Sequence, residues 1–172
     1  MNSRNPHSSA SAAKAPNPEI RRVLDSIRQV VRVLRLGSRN AEKTVGLSSA
    51  QLFVLQKLAE AKSLSVNEVA QRTHTHQSSV SVVVQRLVDR GLVSRVRSRK
   101  DARQMQLSVT RAGRTILRAA PKAAQDELID ALTRMPAPQV RQLAASLQQV
   151  VDLLGVSEEE PVAMFFEDDK HS

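Results

Sequence analysis

Apolar residues recur along this chain with two periods, and the change from one to the other outlines its elements. From Glu19, residues Ile20, Val23, Leu24, Ile27, Val30, Val31 and Leu34 fall at the three- and four-residue steps of one helix face, with Arg21, Arg22, Arg28, Arg32 and Arg35 around the rest. Pro18 and Glu19 suit the first turn, Gly37-Ser38 is expected to weaken the helix, and Gly46 to close the connection that follows. A second helix is predicted from Ser48 or Ser49, either of which can cap it, through Leu52, Val54, Leu55 and Leu58. Ser65 with Glu68 three residues on is the signature of a capping box, so a short helix with Val66, Val69 and Ala70 as its stripe comes next. Past the polar turn Thr73-His74-Thr75-His76, a further helix from about Gln77 to Arg90 turns Val80, Val83, Val84, Leu87 and Val88 inward. Gly91 is the expected left-handed residue beyond its end.

After Gly91 the period drops to two. Leu92 to Val96 reads as a strand, and Met105, Leu107 and Val109, alternating with Gln106 and Ser108, as its returning partner. Thr110 is expected to cap a long helix containing Ile116, Leu117, Ala120, Ala124, Leu128, Ile129 and Leu132, bent near Ala120 by Pro121. Beyond Pro136 and Pro138 a last helix repeats the spacing of the first with Val140, Leu143, Ala144, Leu147, Val150, Val151 and Leu154. The order is that of a helix-turn-helix followed by a ribbon, in a mainly α chain with a small β component. The apolar faces of the two end helices are read either as cover for the chain's own core or as a layer shared between two copies.

Composition adds boundaries. Residues 1–18 are rich in Ser, Ala, Asn and Pro and read as a disordered tail, because so few apolar groups cannot offset ordering entropy. Residues 155–172 form an acidic tail carrying Val162, Met164, Phe165 and Phe166. The folded part is therefore placed at 19–154. The whole chain of 172 residues carries a formal net charge of +9, and this is concentrated. Between Ser65 and Arg114 ten Lys and Arg side chains face only Glu68, Asp89 and Asp101, a local excess of seven. A basic centre of this kind favours a polyanionic partner.

Several chemistries find no support. The chain has no cysteine, so thiolate metal sites and disulfides are excluded, and no apolar run reaches the roughly 20 residues needed to cross a bilayer. The expectation is a cytoplasmic protein with no cofactor. His74 and His76, two apart in a turn with only Glu68 nearby, make a poor metal pair, and neither a glycine-rich phosphate loop nor a nucleophile with a base appears, so an enzyme is not expected.

The segments LSSAQLFVLQKL, SSVSVVVQRLVDRGLV and DARQMQLSVTRAG, in this order and spacing, resemble the MarR family of winged-helix regulators over roughly Ile20 to Leu154, with the family's Asp-x-Arg signature at Asp101 and Arg103. The turn at Thr73 to His76 departs from the family's usual apolar-Gly-apolar sequence, and the acidic tail is no part of the shared pattern. The resemblance implies a winged helix-turn-helix domain with dimerisation helices at 19–45 and 110–154, forming a homodimer through Ile20, Val23, Leu24, Ile27, Leu143, Leu147, Val150, Val151 and Leu154. It also implies a pseudo-palindromic operator and release by a small phenolic or carboxylate effector, for which the sequence offers no clear ligand residues.

Double-stranded DNA is the partner these residues suit. Gln77, Ser78, Ser79 and Ser81 are expected in the major groove, with Thr75 and His76 on the backbone. Arg95, Arg97, Arg99 and Lys100 are expected to bind phosphates, Arg103 to enter the minor groove, and Asp101 to orient an arginine of the wing. The competing reading is a winged-helix adaptor for proteins, or a non-specific DNA-binding protein without an effector.

Overall fold

Side chains placed to cap their own helices set the starts of the helices Ser49–Ala59, Val66–Thr73 and Arg111–Ala119 in the computed structural model, which describes residues 17–97 and 105–155. The helices are α1 (Pro18–Val45), α2 (Ser49–Ala59), α3 (Val66–Thr73) and α4 (Gln77–Asp89). Strands β1 (Val93–Arg97) and β2 (Met105–Val109) follow, then α5 (Arg111–Ala119), α6 (Ala124–Thr133) and α7 (Ala137–Leu153). The Ser48 hydroxyl accepts from the Gln51 N–H while the Gln51 side chain takes the Ser48 N–H, a capping box at the start of α2. Ser65 and Glu68 repeat it for α3, and the Thr110 hydroxyl accepts from the Gly113 N–H at 3.1 Å to start α5. Gly91, at φ 68°, ends the α4 turn.

The chain divides after Arg32 into two units. In the first, Ile20, Val23, Leu24 and Ile27 all lie exposed on the N-terminal part of α1. In the second, α2 is central: Phe53, Leu55 and Leu58 are buried with Val69 of α3, Val80, Val83, Val84 and Leu87 of α4, and Leu107 of β2. Each such side chain contributes about 1.5–3 kcal/mol through burial. Lys57 of α2 reaches Glu60 and Asp126, both at 2.7 Å, and Glu60 also holds Arg72 of α3 at 3.2 Å, so one charge chain links α2, α3 and α6. Burial on its own pulls the Lys57 ammonium down, but the hydrogen bonds to Asp126 and Glu60 outweigh it and the net shift is upward.

Two expectations are corrected here. Helix α1 does not weaken at Gly37-Ser38 but continues to Val45, with Ser38 and Ala41 buried. A Cβ at Gly37 would lie 2.5 Å from the Cβ of Ala124, so this glycine serves close packing on α6 rather than an ending. The long helix after Thr110 is two helices. Pro121 lacks the N–H and pushes Ala120 out of the helical region, to φ −77° and ψ 142°. The backbone groups freed there are taken by Gln56, which donates to the Pro121 carbonyl at 2.7 Å and accepts from the Ala123 N–H at 3.1 Å. The ribbon is two-stranded, as expected, and it is tied to the rest of the chain at its base. Strands β1 and β2 pair antiparallel from Val93↔Val109 to Arg97↔Met105, and Leu64 bridges to Leu107 through N–H donors at 3.0 and 2.8 Å. That bridge fastens the base of the ribbon to the segment before α3.

Candidate nucleic-acid interface

The turn between α3 and α4 is polar yet closed. His74 adopts the left-handed conformation at φ 52° and ψ 40°, which places its N–H on the Gln71 carbonyl at 3.3 Å and the Thr75 N–H on the Ala70 carbonyl at 3.0 Å. The Thr73 hydroxyl donates to the Val69 carbonyl at 2.9 Å and that of Thr75 to the Thr73 carbonyl at 3.0 Å. A histidine tolerates this backbone better than a branched residue, at a cost of about 1 kcal/mol relative to glycine. The turn thus aims α4 without the glycine that such a corner usually calls for.

Helix α4 begins after His76, whose side chain makes no capping hydrogen bond, and so the first-turn N–H groups end in an exposed stretch. His76, Gln77 and Ser78 are exposed, Thr75 and Ser81 are half-buried, and the Ser81 hydroxyl donates to the Gln77 carbonyl at 2.9 Å. Ser79 does not belong with them: at 4% exposure it sits on the inner side with Val80, Val83 and Val84. At 100° of rotation per residue, position 79 shares a side with 83 rather than with 78. Two further residues of the outer face are not among those the sequence singled out. Val82 and Gln85, four and seven residues after Ser78, are both exposed; that spacing was the available signal.

The basic ribbon stands next to this helix. Gln77 shares an open notch of about 560 Å³ with Ser65, Val66, Asn67 and Glu68 of the α3 start and with Met105 and Gln106 of β2. Arg95 and Arg97 are exposed on β1, whereas Arg99, Lys100, Asp101 and Arg103 lie outside the described residues. Not every cation of the segment has free donors. Arg72 is paired to Glu60, Arg90 donates to the Gly46 carbonyl at 2.8 Å and to Gln51, and Arg114 donates to the Val109 carbonyl at 2.5 Å. Their charge still adds to the local field, but their N–H groups hold the fold together. Hydrogen bonds from the Ser65 backbone and hydroxyl keep the Glu68 carboxyl below its ordinary range, so it remains charged beside the notch.

Two further surfaces bear on function. No residue of α7 is buried, and Leu143, Leu147, Val150, Val151 and Leu154 are exposed, Leu147 at 49%. A groove of about 590 Å³ opens between Ile129, Leu132 and Thr133 of α6, Met135, Ala137, Val140 and Arg141 around the start of α7, and His74 of the turn. Among the described residues no cluster of three His, Asp or Glu side chains could hold a metal ion, and no helix is long and apolar enough to cross a membrane.

Residues 45–104, which include α2 to α4 and β1, match the model of a family described as the MarR family. The HTH-type transcriptional repressor MdtR of Bacillus subtilis is 33% identical over 111 residues, which cover 62% of this chain and 71% of that protein. Among solved structures, Sco3205 from Streptomyces coelicolor, a MarR family transcriptional regulator in complex with DNA, superposes with a TM-score of 0.57 at 25% identity, covering 85% of this chain and 97% of the other. A mutant of MarR from E. coli complexed with operator DNA shares the fold at a TM-score of 0.55 and 22% identity, covering 77% and 96% of the two chains.

Proposed function

The chain belongs to the MarR family of winged-helix regulators, and from that premise we propose that it is a DNA-binding transcriptional repressor, acting in the cytoplasm as a homodimer on a pseudo-palindromic operator. The observation that carries this reading is the uncharged, exposed stretch of α4 formed by Gln77, Ser78, Val82 and Gln85, beside a basic ribbon. Short polar side chains allow a helix to approach base edges closely, while cations on the flanking ribbon hold the phosphates.

In this reading Gln77 offers an amide to adenine, and Ser78 and Ser81 share bases and backbone. Thr75, His76 and the open first turn of α4 meet a phosphate. Arg95 and Arg97, with Arg99 and Lys100, neutralise the backbone; Arg103 enters the minor groove and Asp101 steadies a neighbouring arginine. Two copies are required, because successive major grooves lie about 34–36 Å apart and one module spans only one of them. The apolar faces left open at 19–45 and in the 110–154 segment, above all on α7, are the surfaces that a second copy covers. The groove between α6, α7 and His74 is the candidate effector site. Its apolar walls and Arg141 suit a small phenolic or carboxylate molecule, and His74 is the residue that sets the angle between α3 and α4. A ligand that favours a spacing unable to reach both half-sites releases the operator by population shift.

Selection of bound sites from random DNA over a salt series tests the reading. A palindromic consensus and a steep loss of affinity with salt are the expected results, and Arg103→Ala is expected to weaken binding to that site by about 1–3 kcal/mol. Salt-resistant binding to a protein partner with no DNA consensus would favour an adaptor instead.

A further inference from the structure

We infer that Val82 reads thymine: in the bound complex its methyl groups meet the 5-methyl group of one thymine per half-site and distinguish it from cytosine. The inference rests on the DNA-binding reading above and adds a specificity determinant to it.

Four neighbouring apolar residues of α4, Val80, Val83, Val84 and Leu87, are fully buried, but Val82 is 48% exposed. Valine is β-branched and a weak helix former, and at this position it contributes little to the core, so neither helix propensity nor packing accounts for it. Its place on the helix does. Four residues after Ser78 and three before Gln85, it occupies the middle of the outer face, in the second turn of the helix. The polar groups around it are partly committed within the protein. The Ser81 hydroxyl donates to the Gln77 carbonyl at 2.9 Å, and the Gln85 amide donates to the Asp89 carboxylate at 2.7 Å. The surface offered at this level of the helix is therefore apolar, flanked by hydroxyl and amide.

The major-groove edges of the four bases present donors and acceptors, with one apolar group among them, the thymine methyl. A valine facing the cytosine amino group strips water from a donor and returns no hydrogen bond. Facing the thymine methyl, it removes apolar surface on both sides from water. An exposed valine at the centre of a helix face that enters the groove thus favours T·A over C·G at one base pair, a preference that no serine or glutamine of this face supplies by itself.

The experiment uses the full chain and the operator obtained by selection from random DNA. Each thymine of that operator is replaced in turn by deoxyuridine, which lacks the 5-methyl group and keeps every hydrogen bond, and affinity is measured for wild type and Val82→Ala. Wild type is expected to lose about fourfold at one thymine in each half-site, the value of one buried methyl group. Val82→Ala is expected to bind thymine and deoxyuridine equally there while keeping its helical content. Full thymine preference in Val82→Ala, or a wild type indifferent to deoxyuridine at every position, overturns the inference and leaves the regulator reading intact. A wild type that selects no consensus overturns that reading, and this inference with it.

Discussion

Replacing Gly113 with alanine is expected to destabilise the protein by about 1–2 kcal/mol, although alanine is the better helix former. Gly113 is the third residue of α5, where that helix is seated on the base of the ribbon. An added Cβ would collide with the Leu92 carbonyl oxygen and lie 2.8 Å from Val109 Cγ1. The carbonyl cannot retreat freely, because it accepts from the Thr110 N–H at 3.0 Å and from the Thr110 hydroxyl at 3.2 Å, the same hydroxyl that caps α5. Relief therefore requires α5 to lift from the ribbon. Helix propensity returns about 0.5–1 kcal/mol, and overpacking costs about 2–3 kcal/mol here, the upper part of its usual range because the obstacle is immobile backbone, which leaves a net loss of about 1–2 kcal/mol. In a chain of this length that is a fall of roughly 2–8 °C in Tm. Urea unfolding at one fixed protein concentration measures it, since dimerisation would make stability depend on concentration. Gly91→Ala is the control: at φ 68° it has no atom within 4 Å of a new Cβ, so only the left-handed backbone penalty of about 1 kcal/mol applies. A Gly113→Ala protein as stable as wild type would refute the view that this glycine is required by close packing.

Other consequences are as direct. Leu147→Glu puts a charge in the middle of the open α7 face, and sedimentation is expected to show a shift to monomer with loss of operator affinity; an unchanged dimer would move the interface elsewhere. His74→Gly relieves the left-handed backbone at φ 52° and is expected to stabilise by a few tenths to about 1 kcal/mol, read as a rise in Tm. Glu68 has a lowered pKa because Ser65 hydrogen-bonds its charged form. Its contribution to stability is thus complete above its unfolded pKa and is lost as pH falls through the folded value. Wild type should exceed Glu68→Gln in stability by a constant amount above about pH 5 and converge with it in acid; a gap that is independent of pH would show that charge is irrelevant to this cap.

How much of this was legible in the sequence follows from the range over which each interaction acts. The capping box of Ser65 and Glu68, the left-handed Gly91, the alternation of Met105, Leu107 and Val109, and the periodic face of α1 arise from groups a few residues apart, so residue order alone determined them. Contacts between distant segments decided the rest. Ser79 and Ser81 are alike in composition, but the way α4 packs on α2 and α3 buries one and leaves the other half-open, while rotating Val82 outward. Arg90 and Arg114 count as cations in the sequence, yet their donors end on the Gly46 and Val109 carbonyls. Gly37 reads as a helix breaker until Ala124 arrives beside it, 87 positions later in the chain. Pro121 becomes a full break because Gln56, 65 residues before it, takes up the freed backbone groups. Local chemistry thus chose the elements, and only the packed chain determined which of their faces remain free to meet a partner.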